Sequence, residues 1–228
     1  MKIGLISDIH GNAPALSAVL NNLTGRVDHI LFLGDFAGYY PFVNECIEMI
    51  PSGCMTGVRG NHDQILLDYL LSGDLPEGYL KTYGTALTRT AYHLSPRSLR
   101  ILKALPVEKK VTMQGVSLTL VHGAPWDRLN GRIYPDFTDW DRFKTMSDDI
   151  IILGHTHHPM VKKIENKLII NPGSVGQPRV GRRGASFAEL DLSTCQVQTY
   201  HIPYDAKRVI DDVRIHDPEN AYLVRVLQ

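Results

Sequence analysis

Five short apolar runs in this chain each stop at a residue type that binds metal ions, and no other feature limits the fold as strongly. Ile3–Ser7 leads into Asp8-Ile9-His10, His29–Leu33 into Gly34-Asp35, and Cys54–Val58 into Arg59-Gly60-Asn61-His62-Asp63. Val116–Val121 leads into His122-Gly123, and Asp149–Leu153 into Gly154-His155-Thr156-His157. Runs of this length and composition read as buried strands. In sheets that contain parallel strands, ligands gather outside the strands' carboxyl ends. Residues far apart in the chain are therefore expected to converge on one crevice.

The segments between these runs fill in the architecture. Asn12 is placed to cap a helix with Pro14 in its first turn and Leu16, Val19, Leu20 and Leu23 on one face. Val43–Ile50 reads as a second helix, and the order strand-helix-strand-helix-strand implies parallel pairing. Residues 62–105 read as mostly helical. Val107–Thr112 with Val116–Val121, around Gln114-Gly115, reads as a hairpin, as does Val161–Ile164 with Lys167–Ile170 around Glu165-Asn166. Ala185–Leu190 and Gln196–His201 suggest a third hairpin, and a helix is expected from Asp205. Early parallel strands and late hairpins predict two sheets packed face to face with helices outside. At 228 residues and 43% hydrophobic content the chain can bury a full core, so residues 1–228 read as a single domain. A helical insertion at about 63–105 is expected to cap the crevice.

Composition excludes several classes. Lys+Arg and Asp+Glu both number 24, and a chain without net charge lacks the basic excess of a dedicated nucleic-acid binder. Cys46, Cys54 and Cys195 have no CxxC spacing, which argues against a disulfide framework or a zinc knuckle. The opening run Ile3–Ile6 is too short for a signal-peptide core or a membrane span, so no membrane association and a cytoplasmic location are expected.

The motifs themselves imply chemistry. In an extended segment, side chains at i and i+2 share a face, so Asp8 with His10, and His155 with His157, would each present two ligands to one side. Asn61 and His62, as neighbours, would point apart, with the Asn61 amide oxygen toward a metal and His62 free for proton work. Carboxylates, imidazoles and one amide suit Mn, Fe, Zn, Ni or Co and do not suit calcium. Asp8, His10, Asp35, Asn61, His122, His155 and His157 are too many ligands for one tetrahedral ion. They suffice for two divalent transition-metal ions roughly 3.5–4 Å apart if Asp35 bridges them.

The motifs D-I-H (8–10), G-D (34–35), G-N-H-D (60–63), H-G (122–123) and G-H-T-H (154–157), in this order over nearly the whole chain, resemble those of the calcineurin-like metallophosphoesterase superfamily. The stretches 34–39 (GDFAGY) and 171–179 (NPGSVGQPR) resemble its small bacterial and archaeal phosphodiesterase branch. The resemblance implies an α/β (α+β) fold, a four-layer αββα sandwich of two mixed sheets flanked by helices. It implies that Asp8, His10, Asp35 and His157 hold one ion, and Asp35, Asn61, His122 and His155 the other. A hydroxide between the ions would attack the phosphorus of a small phosphodiester, and His62 would protonate the leaving oxygen. Phosphomonoesters and phosphoserine/threonine proteins are the alternative substrates. A non-catalytic scaffold like the retromer subunit of this superfamily is the alternative role, although such scaffolds usually lose motif histidines and this chain keeps them all. One departure stands out. Larger phosphoprotein phosphatases carry an Asp three residues after the bridging one to orient the catalytic His; here that position is Gly38, leaving Asp63 as a candidate for the task.

Other residues carry weaker signals. Arg179, Arg182 and Arg183 cluster in a loop that the resemblance places near the site, with phosphate contact by Arg179 and a solvated basic turn both open. Trp126, Tyr134 and Trp140 fit either the wall of a base-sized pocket or a satellite core. Lys109-Lys110 and Lys162-Lys163 read as guards of strand edges. Cys46 and Cys54 are expected to be buried. His29, His93, His201 and His216 stand outside every motif and are expected to have no role at the site.

Overall fold

Strand β1 (Lys2–Ile6), helix α1 (Ala13–Leu23), β2 (His29–Phe32), α2 (Val43–Met49) and β3 (Met55–Gly57) follow one another along the chain, and the three strands pair in parallel. The structure is a computed structural model that describes every residue except Ser52 and Arg182; the Arg182 member of the basic loop lies outside the described residues. Helix α1 starts where its cap is: Asn12 Oδ1 accepts the Ala15 N–H at 3.2 Å, and Pro14 occupies the first turn, where its missing N–H costs nothing. Four helices come next, α3 (Asn61–Ser72), α4 (Tyr79–Tyr83), α5 (Ala86–His93) and α6 (Pro96–Ala104). They are followed by β4 (Glu108–Met113), β5 (Val116–Val121), α7 (Asp141–Lys144), β6 (Ile150–Ile152), β7 (Met160–Ile164) and β8 (Lys167–Asn171). The chain closes with β9 (Ala185–Asp191), β10 (Gln196–Ile202), α8 (Lys207–His216) and α9 (Ala221–Arg225).

The strands form two mixed five-stranded sheets, ordered β10-β9-β1-β2-β3 and β4-β5-β6-β8-β7. Side-chain alternation assembles the layers. Ile3, Leu5, Leu31 and Leu33 of the first sheet share one core with Leu118, Leu120, Ile150 and Ile152 of the second. The alternate residues Ile6, Ile30 and Phe32 face outward against α1, α2 and the helices of the insertion. Val121, Ile151 and Ile169 face the other way, onto Phe143 of α7 and its neighbouring aromatics. Strands covered on both faces must be apolar at successive positions, which is why they read as unbroken runs. The expected α/β sandwich is thus observed.

The lysine pairs lie on β4 and β7, the two edges of the second sheet, where charge opposes further pairing. Trp140 packs with Phe137 and Phe143 in the satellite core, Trp126 packs over the same aromatics from the exposed side, and Tyr134 lines the cavity described below. Cys46 is buried, but Cys54 is exposed, contrary to the sequence expectation, because β3 begins one residue after it. The last long helix starts at Lys207 rather than Asp205, whose carboxylate instead accepts the Lys207 N–H. Among the described residues no helix is long and apolar enough to cross a membrane.

Candidate metal centre

The loops leaving β1 and β2 are zipped together by backbone bonds: Asp8 N–H to Gly34 O at 2.9 Å and His10 N–H to Asp35 O at 3.0 Å. Behind them, the 171–179 stretch acts as a buttress. Ser174 Oγ donates to Asp8 O at 2.7 Å, and Asn171 Nδ2 donates to Gly154 O at 2.7 Å. The backbone is left-handed at Asp8 (φ 54°), His10 (51°), Asp35 (67°), His155 (66°) and His157 (63°). Each such residue costs about 1–2 kcal/mol, so concentrating five of them here marks a strained, over-determined site. This corrects the sequence argument that Asp8/His10 and His155/His157 share faces as extended pairs. Asp8 and His10 do converge, but through left-handed turns. His155 and His157 diverge: His155 Nδ1 lies 3.0 Å from Asn61 Oδ1, whereas His157 Nε2 lies 3.3 Å from Asp8 Oδ1.

Both carboxylates are fully buried, and each has one oxygen tied and one orphaned. Asp8 Oδ2 accepts from Ser7 Oγ at 2.5 Å and from the His155 N–H at 3.1 Å. Asp35 Oδ1 accepts the His62 N–H at 2.8 Å, at the amino end of α3, where unpaired N–H groups favour an anion. Asp8 Oδ1 and Asp35 Oδ2 have no hydrogen-bond partner. Buried carboxylate oxygens left unpaired cost heavily unless a cation answers them.

The imidazoles around these oxygens are turned to answer such a cation as well. His10 Nδ1 faces Ala37 O at 2.9 Å, His122 Nδ1 faces Leu33 O at 2.6 Å, and His157 Nδ1 faces Gln177 O at 2.7 Å. A carbonyl accepts only from N–H, so all three rings keep Nε2 toward the carboxylates, the arrangement found behind metal-ligating histidines. Asp8, His10 and His157 form one group able to hold an ion, and Asp8, Asp35 and His122 another. Asn61 Oδ1 joins the second, 3.0 Å from His122 Nε2. The structure thus brings all seven expected ligands into one cluster.

Charge in the cluster is lopsided. Burial works to raise Asp8, but the neighbouring His157, His122 and His10 outweigh it and hold the carboxyl well below its usual range. Asp35 is held down likewise, chiefly by His122. Burial works to strip the proton from His122, but the charge of Asp35 and then Asp8 raise it to about 9. Burial and His157 keep His10 well below its ordinary value, and burial with His122 lowers His155 to about 3. The cluster thus pushes its imidazoles in opposite directions, His122 up, beside Asp35, and His10 and His155 down.

Asn61 and His62, the first two residues of α3, take different partners: Asn61 Oδ1 lies against His122 and His155, whereas His62 reaches α4. It is buried with its Nδ1 2.8 Å from the hydroxyl of Tyr79, a residue of α4 that nothing in the local sequence singled out. Asp63 does not orient His62. Its carboxylate accepts the N–H groups of Asp35 and Ala37 at 2.9 Å and of Gly60 at 3.1 Å, and so braces the loop after β2. Gly38 is required by packing: its φ is 142°, and a Cβ there would strike the His10 imidazole. An aspartate in that position is incompatible with this placement of His10.

A cavity of about 620 Å³ opens beside the cluster, lined by Asp35, Asn61, His62, His155 and His157 on one side. Its other walls come from the helical insertion, the loops after β5 and β8, and the C-terminal segment, including Tyr83, Arg132, Arg179 and Tyr222. Arg179, expected near the site, donates to Tyr39 Oη at 3.3 Å. Tyr39 belongs to the 34–39 stretch and was legible on that account; Tyr83, Arg132 and Tyr222 had no such signal.

A sequence model of the calcineurin-like phosphoesterase superfamily domain matches residues 1–195. An uncharacterized protein of Methanocaldococcus jannaschii is 33% identical over 233 residues, covering 92% of this chain and 91% of that one. A metallophosphoesterase of known structure from Sphaerobacter thermophilus is 28% identical and superposes with a TM-score of 0.81 over 99% of this chain and 98% of its own. A hypothetical protein of known structure from Pyrococcus horikoshii OT3, at 21% identity, shares the fold with a TM-score of 0.84 over 99% and 97% of the two chains.

Proposed function

The chain belongs to the calcineurin-like phosphoesterase superfamily, and we propose that it is a two-metal hydrolase of small phosphodiesters. The observation that carries this reading is the pair of buried, unpartnered oxygens, Asp8 Oδ1 and Asp35 Oδ2, ringed by imidazole Nε2 atoms. In this reading Asp8, His10, Asp35 and His157 hold one ion, and Asp35, Asn61, His122 and His155 hold a second. Mn, Fe, Zn, Ni and Co all suit this donor set. When bound, such ions activate a water as nucleophile and neutralise charge on the phosphate.

The chain's own residues supply the rest. His62 lines the cavity and serves as general acid, delivering its Nε2 proton to the departing oxygen. Tyr79 holds the ring for that task. Its hydroxyl oxygen accepts from Nδ1–H of the imidazolium and also of the neutral ring left once Nε2 has released its proton, so one contact holds the ring in both states. The helical insertion acts as a cap through α4, whose Lys81, Thr82 and Tyr83 wall the cavity and restrict it to small substrates. Retention of every motif histidine, each turned toward the cluster or the cavity, favours turnover over a scaffold role. Chelator-stripped protein should not cleave bis(4-nitrophenyl) phosphate, and re-addition of one of the five metals should restore cleavage. Absence of turnover with all five refutes the enzymatic reading.

A further inference from the structure

Three cationic side chains converge on the cavity from segments far apart in the chain: Lys81 in α4, Arg132 after β5 and Arg179 after β8. Among the described residues none of them has a carboxylate within ion-pair distance, and Asp35 is the one acidic residue in the lining. Their polar contacts are with neutral groups. Arg132 Nε donates toward His155 Nε2 at 3.4 Å, beside the metal cluster, and Arg179 donates to Tyr39 Oη. Elsewhere on the molecule the cations are commonly paired: Arg89 with Asp212, Arg208 with Glu45, Lys110 with Asp148.

Unpaired like charges gathered in one concave site repel each other and focus a positive field there. A metal cluster with two carboxylates against two divalent ions is already net positive, and it answers the single charge of the scissile diester by itself. Three further cations then have no counterpart in a simple diester. A phosphate monoester adds about −1.5 to −2 charge and three acceptor oxygens, and guanidinium groups grip it through charge-assisted bonds. The volume, about 620 Å³, holds a nucleotide-sized molecule with two phosphates.

We propose that the substrate is a small phosphodiester carrying a second phosphate, which Lys81, Arg132 and Arg179 bind beside the metal centre. This rests on the cavity being the diesterase site, and the experiment separates the two ideas. The probes are thymidine 5′-(4-nitrophenyl phosphate) and the same compound phosphorylated at the 3′ oxygen, assayed with metal-loaded protein. The second phosphate is expected to raise kcat/KM about tenfold or more, chiefly through KM. In the Lys81→Gln, Arg132→Gln, Arg179→Gln triple variant the ratio is expected to fall toward one. Calorimetric binding of thymidine 3′,5′-bisphosphate, against thymidine 5′-monophosphate, provides a readout without turnover and should show the same preference and the same loss. Equal kcat/KM for the two esters with equal binding of the two nucleotides overturns the proposal and leaves the diesterase reading standing. A preference that survives intact in the triple variant overturns the assignment to these residues. Preferred binding of the bisphosphate with no turnover of either ester supports the second-phosphate site and removes the diesterase reading.

Discussion

Removing the metals with a chelator should produce a folded protein whose stability declines as the pH rises from 6.5 to 9. The group responsible is His122, fully buried with its Nε2 3.2 Å from Asp35 Oδ2. Burial favours the neutral ring, but the charges of Asp35 and Asp8 prevail and raise it from 6.5 to about 9. Between those values the metal-free native state keeps a proton that the unfolded chain has lost. More protons on the native than on the unfolded state means that stability falls with rising pH. The contribution is complete below 6.5 and gone above about 9. At 1.36 kcal/mol per pH unit it amounts to about 3 kcal/mol, a large part of the 5–15 kcal/mol of a typical domain. Asp63, raised from 3.8 to about 7 by burial and the Asp35 charge, adds a loss of the same sign at the lower edge of the window. His10, His62 and His155 are held below their ordinary value, so they oppose the slope only near 6.5, where the unfolded rings are still partly protonated, and are neutral in both states above about 7.5. A metal ion on Nε2 requires the ring without its proton, so loaded protein should lack this slope across the window, and metal uptake near neutral pH should release about one proton. Urea denaturation of stripped and loaded protein in small pH steps measures the slope. Calorimetry in buffers of different ionisation enthalpy counts the proton. Stability of the stripped protein that is flat or rising across the window, or an identical slope in His122→Gln, refutes the reasoning.

Three further outcomes follow from the proposed roles of His62 as proton donor and Asp35 as shared carboxylate. His62→Ala should keep its metals and lose about 100- to 10,000-fold on an alkyl phosphodiester but far less on a nitrophenyl one, since nitrophenolate departs without a proton. Tyr79→Phe, which keeps the ring but loses one hydrogen bond, should show the same selectivity at about tenfold; equal losses on both leaving groups in either variant would remove the acid role. Asp35→Asn should empty both metal positions together, and elemental analysis finding one position fully occupied would show that Asp35 does not bridge.

Much of the molecule was legible in the chain because the signals are local. Apolar runs such as Ile3–Ile6 and Leu118–Val121 are strands buried on both faces, and each motif that follows is only two to four residues long. Given parallel strands, the convergence of Asp8, Asp35, Asn61 and His122 follows from where the runs stop. The hairpins at Gln114-Gly115 and Glu165-Asn166 were equally local; Gln114 and Glu165 take the left-handed φ of 50° and 53° in those turns. What the chain could not reveal depends on contacts between distant segments. The left-handed turns at Asp8, His10, His155 and His157 are imposed by bonds to the 34–36 and 171–179 loops, so an argument from extended pairs assigned the directions of His155 and His157 wrongly. Gly38 is explained by the His10 ring packed against it, and Asp63 by the three N–H groups that consume its carboxylate. Tyr79 meets His62 because the insertion folds back across 17 residues, and Lys81, Arg132 and Arg179 share a cavity only once three segments have packed. Residue type and local period decide which segments become strands and which side chains are able to bind metal. Where each of those side chains points is decided by the packing of the whole chain, because a rotamer and a strained φ persist only when neighbours from elsewhere hold them.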